Sequence, residues 1–250
     1  MNIFNPNFTG RFELFTGYHI ITMVFIALLW IIIPVVFKKS KNEKADIFFR
    51  YTLASLLLIQ HLGWIIWEII TNRFTIELSL PLNLCDISNI LCAILLISKS
   101  YKIYEILYFW ALAGTIQSYI TPNIFFGFPH FEYIAFYIQH GGEILTILYL
   151  TIVTGFRPKA KSMIKSFVAL SIFIIFIYIF NLIAGSNYMF LMADTPHPST
   201  VTRMINIFGE PPWHIIGLML VTVVSILVLY APFAVWDKFK KSKSSQNQEQ

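Results

Sequence analysis

The chain reads as an all-α membrane protein, a polytopic bundle of seven transmembrane helices with its N-terminus outside and its C-terminus cytoplasmic. Three features point there: an apolar composition, seven long apolar runs, and basic residues confined to alternate connections. Hydrophobic residues make up 57% of the 250 and charged residues 12%, about half the charged share of an ordinary soluble domain. With a mean hydropathy of +0.68, such a chain cannot cover a water-facing surface. Lipid must solvate much of it.

A span needs roughly 20 apolar residues. The segments that qualify are 18–37, 51–70, 80–97, 103–119, 131–154, 167–184 and 213–236. The first has no basic stretch before it and no small-residue cleavage site after it, so it reads as a span and not a removed signal. The second carries His61 and Glu68. The third has Pro81 in a position suited to a helix start. The fourth is short and interrupted by Glu105 and Gln117. The fifth contains His140, a glycine pair and Glu143; the sixth closes on Asn181. The glycines would let a neighbouring helix or acyl chain approach closely. The seventh follows the connection 185–212, whose Gly185, Asn187, Asp194, Pro196, Pro198, Gly209, Pro211 and Pro212 are turn formers. That connection shows no helix signal, is longer than loops usually are and keeps apolar residues, so we expect it to pack as a lid. Residues 1–236 form one membrane domain, and the basic tail 237–250 is expected to be solvated and disordered.

Orientation follows from charge. Lys38, Lys39, Lys41, Lys44 and Arg50 lie on the first connection; Lys99 and Lys102 on the third; Arg157, Lys159, Lys161 and Lys165 on the fifth; Lys238, Lys240, Lys241 and Lys243 on the tail. The opposite side has only Arg11, Arg73 and Arg203. Positive residues stay cytoplasmic, so the net charge of +5 is a topology signal and no nucleic-acid partner is expected. Cys85 and Cys92 are roughly 10 Å apart along one helix, too far for a disulfide.

Polar groups within a membrane are expensive and tend to mark function. Cys85, Asp86 and Asn89 lie early in the third segment, His140 and Glu143 in the fifth, and Glu68 with His61 in the second. Gln117 ends the fourth and Asn181 the sixth. With the N-terminus outside, these fall at mid-depth or in the outer half, around one polar cavity. Glu105 lies on the cytoplasmic side beside Lys102, and His19 and His214 are expected at the interface.

Cysteine and histidine on two spans at similar depth suit a nucleophile and its base, because a thiol is weak until deprotonated. In this reading Cys85 and His140 are catalytic. Asp86 or Glu143 would orient the imidazole, and Asn89, Gln117 or Asn181 would donate to an oxyanion. Each has a structural alternative: Cys92 as a packing residue, His140 bonded to Glu143, and His61 with Glu68 as a structural pair. No metal and no cofactor is expected.

The run Leu80-Pro81-Leu82-Asn83-Leu84-Cys85-Asp86-Ile87-Ser88 resembles the bacterial YwaF family of seven-span proteins, itself similar to eukaryotic transmembrane protein 164. Further matches are Phe109-Trp110 with Gly114 and Gln117, Thr121-Pro122, His140-Gly141, Asn187-Tyr188-Met189-Phe190-Leu191, and Gly209 with Pro212-Trp213. The eukaryotic relative is understood as a membrane acyltransferase that moves a fatty acyl chain onto a lysophospholipid through a Cys and a His. The resemblance implies a phospholipid acyltransferase or acyl hydrolase, with Cys85 as nucleophile and His140 as base. It also implies membrane lipids as partners and the cell membrane as location. The family pattern commonly carries a histidine two residues before the cysteine, where this chain has Asn83. Two other readings stand beside it: a small-molecule or proton-coupled transporter using Glu68, Asp86, His140 and Glu143, and a non-catalytic lipid-binding scaffold.

Overall fold

Charges, caps and left-handed stops divide the chain into helices. A computed structural model describes residues 3–193 and 200–246. The helices are α1 (Gly17–Ser40), α2 (Glu43–Ile70), α3 (Leu84–Ser98), α4 (Tyr101–Ile120), α5 (Phe131–Val153), α6 (Ala160–Ala184), α7 (Thr200–Phe208) and α8 (His214–Gln246). No strand occurs among the described residues; an isolated bridge joins Arg11 to Phe126. Helix α1 closes on Lys38 and Lys39, favourable beside the negative end of its dipole, and stops at Lys41 in the left-handed region. Asn42 then caps α2, its side chain accepting from the Ala45 N–H at 3.1 Å, as an N-cap asparagine does. Lys99 stops α3 in the same left-handed way.

Four helical stretches, Gly17–Ser40, Glu43–Ile70, Ala160–Ala184 and His214–Lys238, are long and apolar enough to cross a membrane. Their outward faces carry large exposed apolar residues, among them Phe25, Ile31, Ile59, Ile172, Ile183 and Val228. Water would penalise such a surface, whereas hydrocarbon would not.

Helix α5 is the axle. It packs against α1, α2, α3 and α4, and α8 lies outside against α4 and α6. The glycine pair makes the axle thin. A Cβ on Gly141 would stand 2.9 Å from Ile26 of α1, and one on Gly142 would stand 2.6 Å from Leu57 of α2. Trp30 of α1 donates its indole N–H to the Gly141 carbonyl at 2.9 Å. The core below is apolar, with Leu57, Leu95, Leu96, Leu107, Ile147 and Leu150 sealed from solvent.

Polar pins close the end that carries the lysines. Asp46 accepts from Arg50 Nε at 3.0 Å, Lys99 Nζ at 3.0 Å and the Tyr149 hydroxyl at 2.7 Å, and Arg50 also donates to the Leu96 carbonyl. One carboxylate thereby joins α2, α3 and α5. Glu105 accepts from Lys165 at 2.5 Å and Ser162 at 2.9 Å, pinning α4 to α6; its partner is Lys165 and not the neighbouring Lys102.

Several boundaries differ from the sequence expectation: α2 begins at Glu43 and not at residue 51, and α6 at Ala160 and not at residue 167. Helix α3 begins at Leu84 and not at residue 80, because Asn83 is extended (φ −73°, ψ 154°) and serves as N-cap. Pro81 therefore lies before the helix. The connection 185–212 is not free of helix: it holds a 3-10 turn at Tyr188–Phe190 and the nine-residue α7. Met204 and Phe208 of α7 are four apart on one face, and Gly217 of α8 leaves room for both. A Cβ there would come within 2.5 Å of Phe208 and 2.7 Å of Met204. Asp194, Pro196 and Pro198 lie outside the described residues. Helix α8 runs on to Gln246 through part of the expected tail, where neither Gly nor Pro interrupts it.

Candidate functional site

The sequence around Cys85 builds a helix start. Asp86 Oδ2 accepts from the Asn83 N–H at 3.3 Å and from Asn83 Nδ2 at 3.1 Å, the third helical residue reaching back to the N-cap as it does in a capping box. Cys85 is thus the second residue of α3, half-buried, in the turn where a helix's leading N–H groups lack acceptors of their own, ahead of the Asp86 N–H that the Asn83 carbonyl accepts. Across from it, His140 of α5 is buried and stacks on Phe136, ring centroids 3.9 Å apart at 22°. His140 Nδ1 is 2.9 Å from the Phe136 carbonyl. A carbonyl only accepts, so this contact needs the proton on Nδ1 and leaves Nε2 with the lone pair. The group that orients the imidazole is therefore a backbone carbonyl and neither Asp86 nor Glu143.

Cys85 and His140 line one cavity of about 440 Å³ together with Asp86, His61, Glu68 and Trp64. His61 Nε2 and Glu68 Oε2 are buried without a hydrogen-bond partner, so α2 presents two further polar groups to the same space. The remaining sequence-predicted residues fall elsewhere. Asn89 is fully buried beneath the site and donates to the Leu57 carbonyl at 3.1 Å. Glu143 is also fully buried and accepts from Thr115 at 2.8 Å. Gln117 faces a second, larger cavity. Asn181 serves the connection after α6: it donates to the Tyr188 carbonyl at 2.9 Å and accepts from Tyr188 N–H at 3.0 Å and Ser186 at 2.7 Å. Asn89 and Asn181 each donate to a backbone carbonyl, and neither lines the cavity that holds the thiol. Cys92 is fully buried in the apolar core.

Residues that the sequence did not single out complete the wall. Gln139 donates to Asp86 Oδ1 at 3.4 Å, and Gln60 lines the cavity with its Oε1 unpartnered. Gln60 is one and two helical turns from Trp64 and Glu68, so the 60, 61, 64, 68 face of α2 was readable. Gln139 is adjacent to His140 and carried no periodic signal. His19 and His214, expected at the interface, are fully buried. His19 accepts from the Phe15 N–H at 2.9 Å, and His214 Nε2 is 2.9 Å from the Phe190 carbonyl.

The connection after α6 covers this cavity. Met189 and Phe190 line it and both are in the left-handed region, at φ 57° and φ 54°, where non-glycine residues are costly and persist only when held. The holding is visible. The Met189 N–H donates to Asn83 Oδ1 at 3.1 Å. The Tyr188 hydroxyl donates to the Ile76 carbonyl at 2.6 Å and accepts from the Leu80 N–H at 2.8 Å. Asn83, standing where the resembled family commonly has histidine, is both cap of α3 and clamp of the cover.

Chemically, the site offers a thiol at a helix N-terminus, an imidazole held through its Nδ1, and carboxyl groups on α2 and α3. Among the described residues no three His, Cys, Asp or Glu side chains group closely enough to hold a metal ion. No curated protein and no solved structure matches the chain. The model of the TMEM164 family matches residues 14–230, which take in every helix from α1 to α7, most of α8 and all the cavity-lining residues named above. The chain therefore belongs to the TMEM164 family, and its apolar helices are those of an integral membrane protein.

Proposed function

We propose that the protein is a membrane-embedded acyl-transfer enzyme in which Cys85 is the nucleophile and His140 the base. The observation that carries this reading is that both line one cavity, with the imidazole tautomer set by the Phe136 carbonyl. Helices α1 to α6 and α8 cross the cell membrane seven times in this reading, with the N-terminus outside. The 15 basic residues on alternate connections against three on the others support it.

The acyl group moves in two transfers, first to sulfur and then to an acceptor oxygen. His140 Nε2 takes the proton from the Cys85 thiol. The sulfur attacks the carbonyl carbon of an acyl ester in a membrane phospholipid. The C–O ester bond breaks, and the departing lysolipid oxygen takes the proton back from His140. An acceptor hydroxyl, from a second lysolipid or from water, then gives its proton to Nε2 and attacks the thioester. The C–S bond breaks and the sulfur recovers the proton. The oxyanion formed at each attack lies against the first turn of α3, where the Leu84 and Cys85 N–H groups precede the Asp86 N–H that the Asn83 carbonyl accepts, and such leading N–H groups are suited to it.

Purified protein in phospholipid vesicles containing a labelled lysolipid tests this. Cys85→Ala is expected to reduce acyl exchange to background, and His140→Ala to slow it by roughly 10²–10⁴-fold, the usual worth of general base catalysis. Full turnover by Cys85→Ala would end the proposal.

A further inference from the structure

The acyl-transfer reading leaves a second cavity unused, and it is the larger. It holds about 1040 Å³ between α4 and α8, bounded by Phe109, Trp110, Leu170, Leu218 and Ile226. One end is polar, with Arg11, Glu13, Gln117 and Asn123. From Phe109 to Thr121, the C-cap of α4, its wall rises over twelve residue steps, roughly 18 Å at about 1.5 Å per residue. One leaflet of the hydrocarbon core is about 15 Å deep, half of roughly 30 Å. A polar mouth above an apolar shaft one leaflet deep has the shape and chemistry of a chain-bearing lipid.

The two cavities share walls. Leu84, Gly114, Ser118, Asn123, Ile124, Phe136 and Phe190 line both. Leu84 is next to Cys85 in the chain, and Phe136 is the residue on which His140 stacks. Gly114 differs from the others in having no side chain, and a Cβ built there meets nothing within 4 Å. Unlike Gly141 and Gly142, this glycine is not required by a neighbouring helix. In mid-helix it costs about 1 kcal/mol relative to alanine, and what it leaves is open space on the line between the chambers.

Resting on the acyl-transfer reading, we infer that Gly114 is the opening through which the chain carried on Cys85 extends into the α4–α8 cavity, and that the residue at this position determines acyl-chain length. Short chains fit within the smaller chamber, and long ones must pass Gly114. The larger cavity is then an acyl channel with its head-group end at Arg11 and Glu13.

The test separates passage from catalysis. Butyl, octyl and hexadecyl maleimides are reacted with the purified full chain in detergent, and modification of the Cys85 peptide is followed by mass. The variants are Gly114→Ala, Gly114→Phe and, on the far wall of the channel, Thr222→Trp. Gly114→Phe is expected to keep butyl labelling near that of the unaltered chain while slowing hexadecyl labelling about 10- to 200-fold, the range over which an apolar pocket discriminates by size. Gly114→Ala is expected to label like the unaltered chain, and Thr222→Trp to slow only hexadecyl. Loss of butyl labelling would show a folding defect in Gly114→Phe, and the Thr222→Trp result then decides. Equal slowing of all lengths by Thr222→Trp, or length-independent labelling in Gly114→Phe, would overturn the inference. Length-selective labelling in a protein that exchanges no acyl chain in vesicles would uphold the channel and overturn the catalytic reading.

Discussion

Cys85 is the second residue of α3 because Asn83 caps the helix and Asp86 returns the bond. His140 is oriented from within its own helix, because its Nδ1 is bound to a carbonyl there. The first placement was partly legible: Asn-x-x-Asp is a cap pattern, yet Pro81 drew the helix start too early. The second was not legible, since the orienting group is a backbone oxygen that no residue type announces. Asn181 shows the same limit. Its depth near the end of a span matched that of an oxyanion donor, but its partners are in a connection without periodicity. Asn181→Ala should therefore act on the cover and not on the chemistry. It leaves the Tyr188 N–H and carbonyl and the Ser186 hydroxyl without their partner, a cost of about 1–3 kcal/mol. Hydrogen exchange at residues 186–191 is expected to accelerate while butyl maleimide labelling of Cys85 persists; unchanged protection there would contradict this role.

Among the helices, α5 was the most legible, with His140, the glycine pair and Glu143 all on one span. The glycines prove to serve packing with α1 and α2. Adding a methyl group at Gly142, against Leu57, should overpack the bundle by about 1–3 kcal/mol and lower its melting temperature in detergent. Gly114→Ala, added to open space, should not. The reverse order would refute this account of the axle. The segment before α1 gave no periodic signal, yet it straps the head of α5. Phe12 N–H donates to the Phe125 carbonyl at 2.9 Å, Gly127 N–H to Gly10 at 3.0 Å, and Phe131 N–H to Ile3 at 2.9 Å. A Cβ on Gly127 would stand 3.0 Å from the Arg11 carbonyl, so the close approach depends on glycine. His130 accepts from the Glu132 N–H at 3.1 Å and its Nε2 is 3.2 Å from the Asn5 carbonyl. Burial, helped by the nearby Arg73 charge, holds it below the ordinary histidine value despite that backbone bond. A folded value below the unfolded one, about 6.5, means that protonation opposes the strapped state. The strap is then fully stable above about 6.5 and weakens as pH falls through the lowered value. Exchange at the Phe131 N–H, corrected for its intrinsic rate, is expected to quicken on acidification and to lose that pH step in His130→Gln.

The described residues form a bundle around α5 with two adjoining cavities and a strained cover. Composition and apolar runs made the membrane character and the helical extents readable, because lipid imposes long uninterrupted apolar stretches. The cavities were not readable in the same way. Periodicity assigns a residue to a face, but it does not tell a face packed on a neighbour from one lining a space. That is why Asn89 and Glu143 lie beneath the site while Gln60 and Gln139 line it. Transfer through a thioester requires the acyl chain to reside on one atom of this bundle. The most direct measurement is therefore the intact mass of the protein after brief incubation with phospholipid, quenched at acidic pH and mapped by peptide. The account predicts one acyl adduct on Cys85, released by hydroxylamine and absent in Cys85→Ser. Acyl exchange proceeding with no adduct on Cys85, or an adduct that forms equally on Cys92, would contradict it.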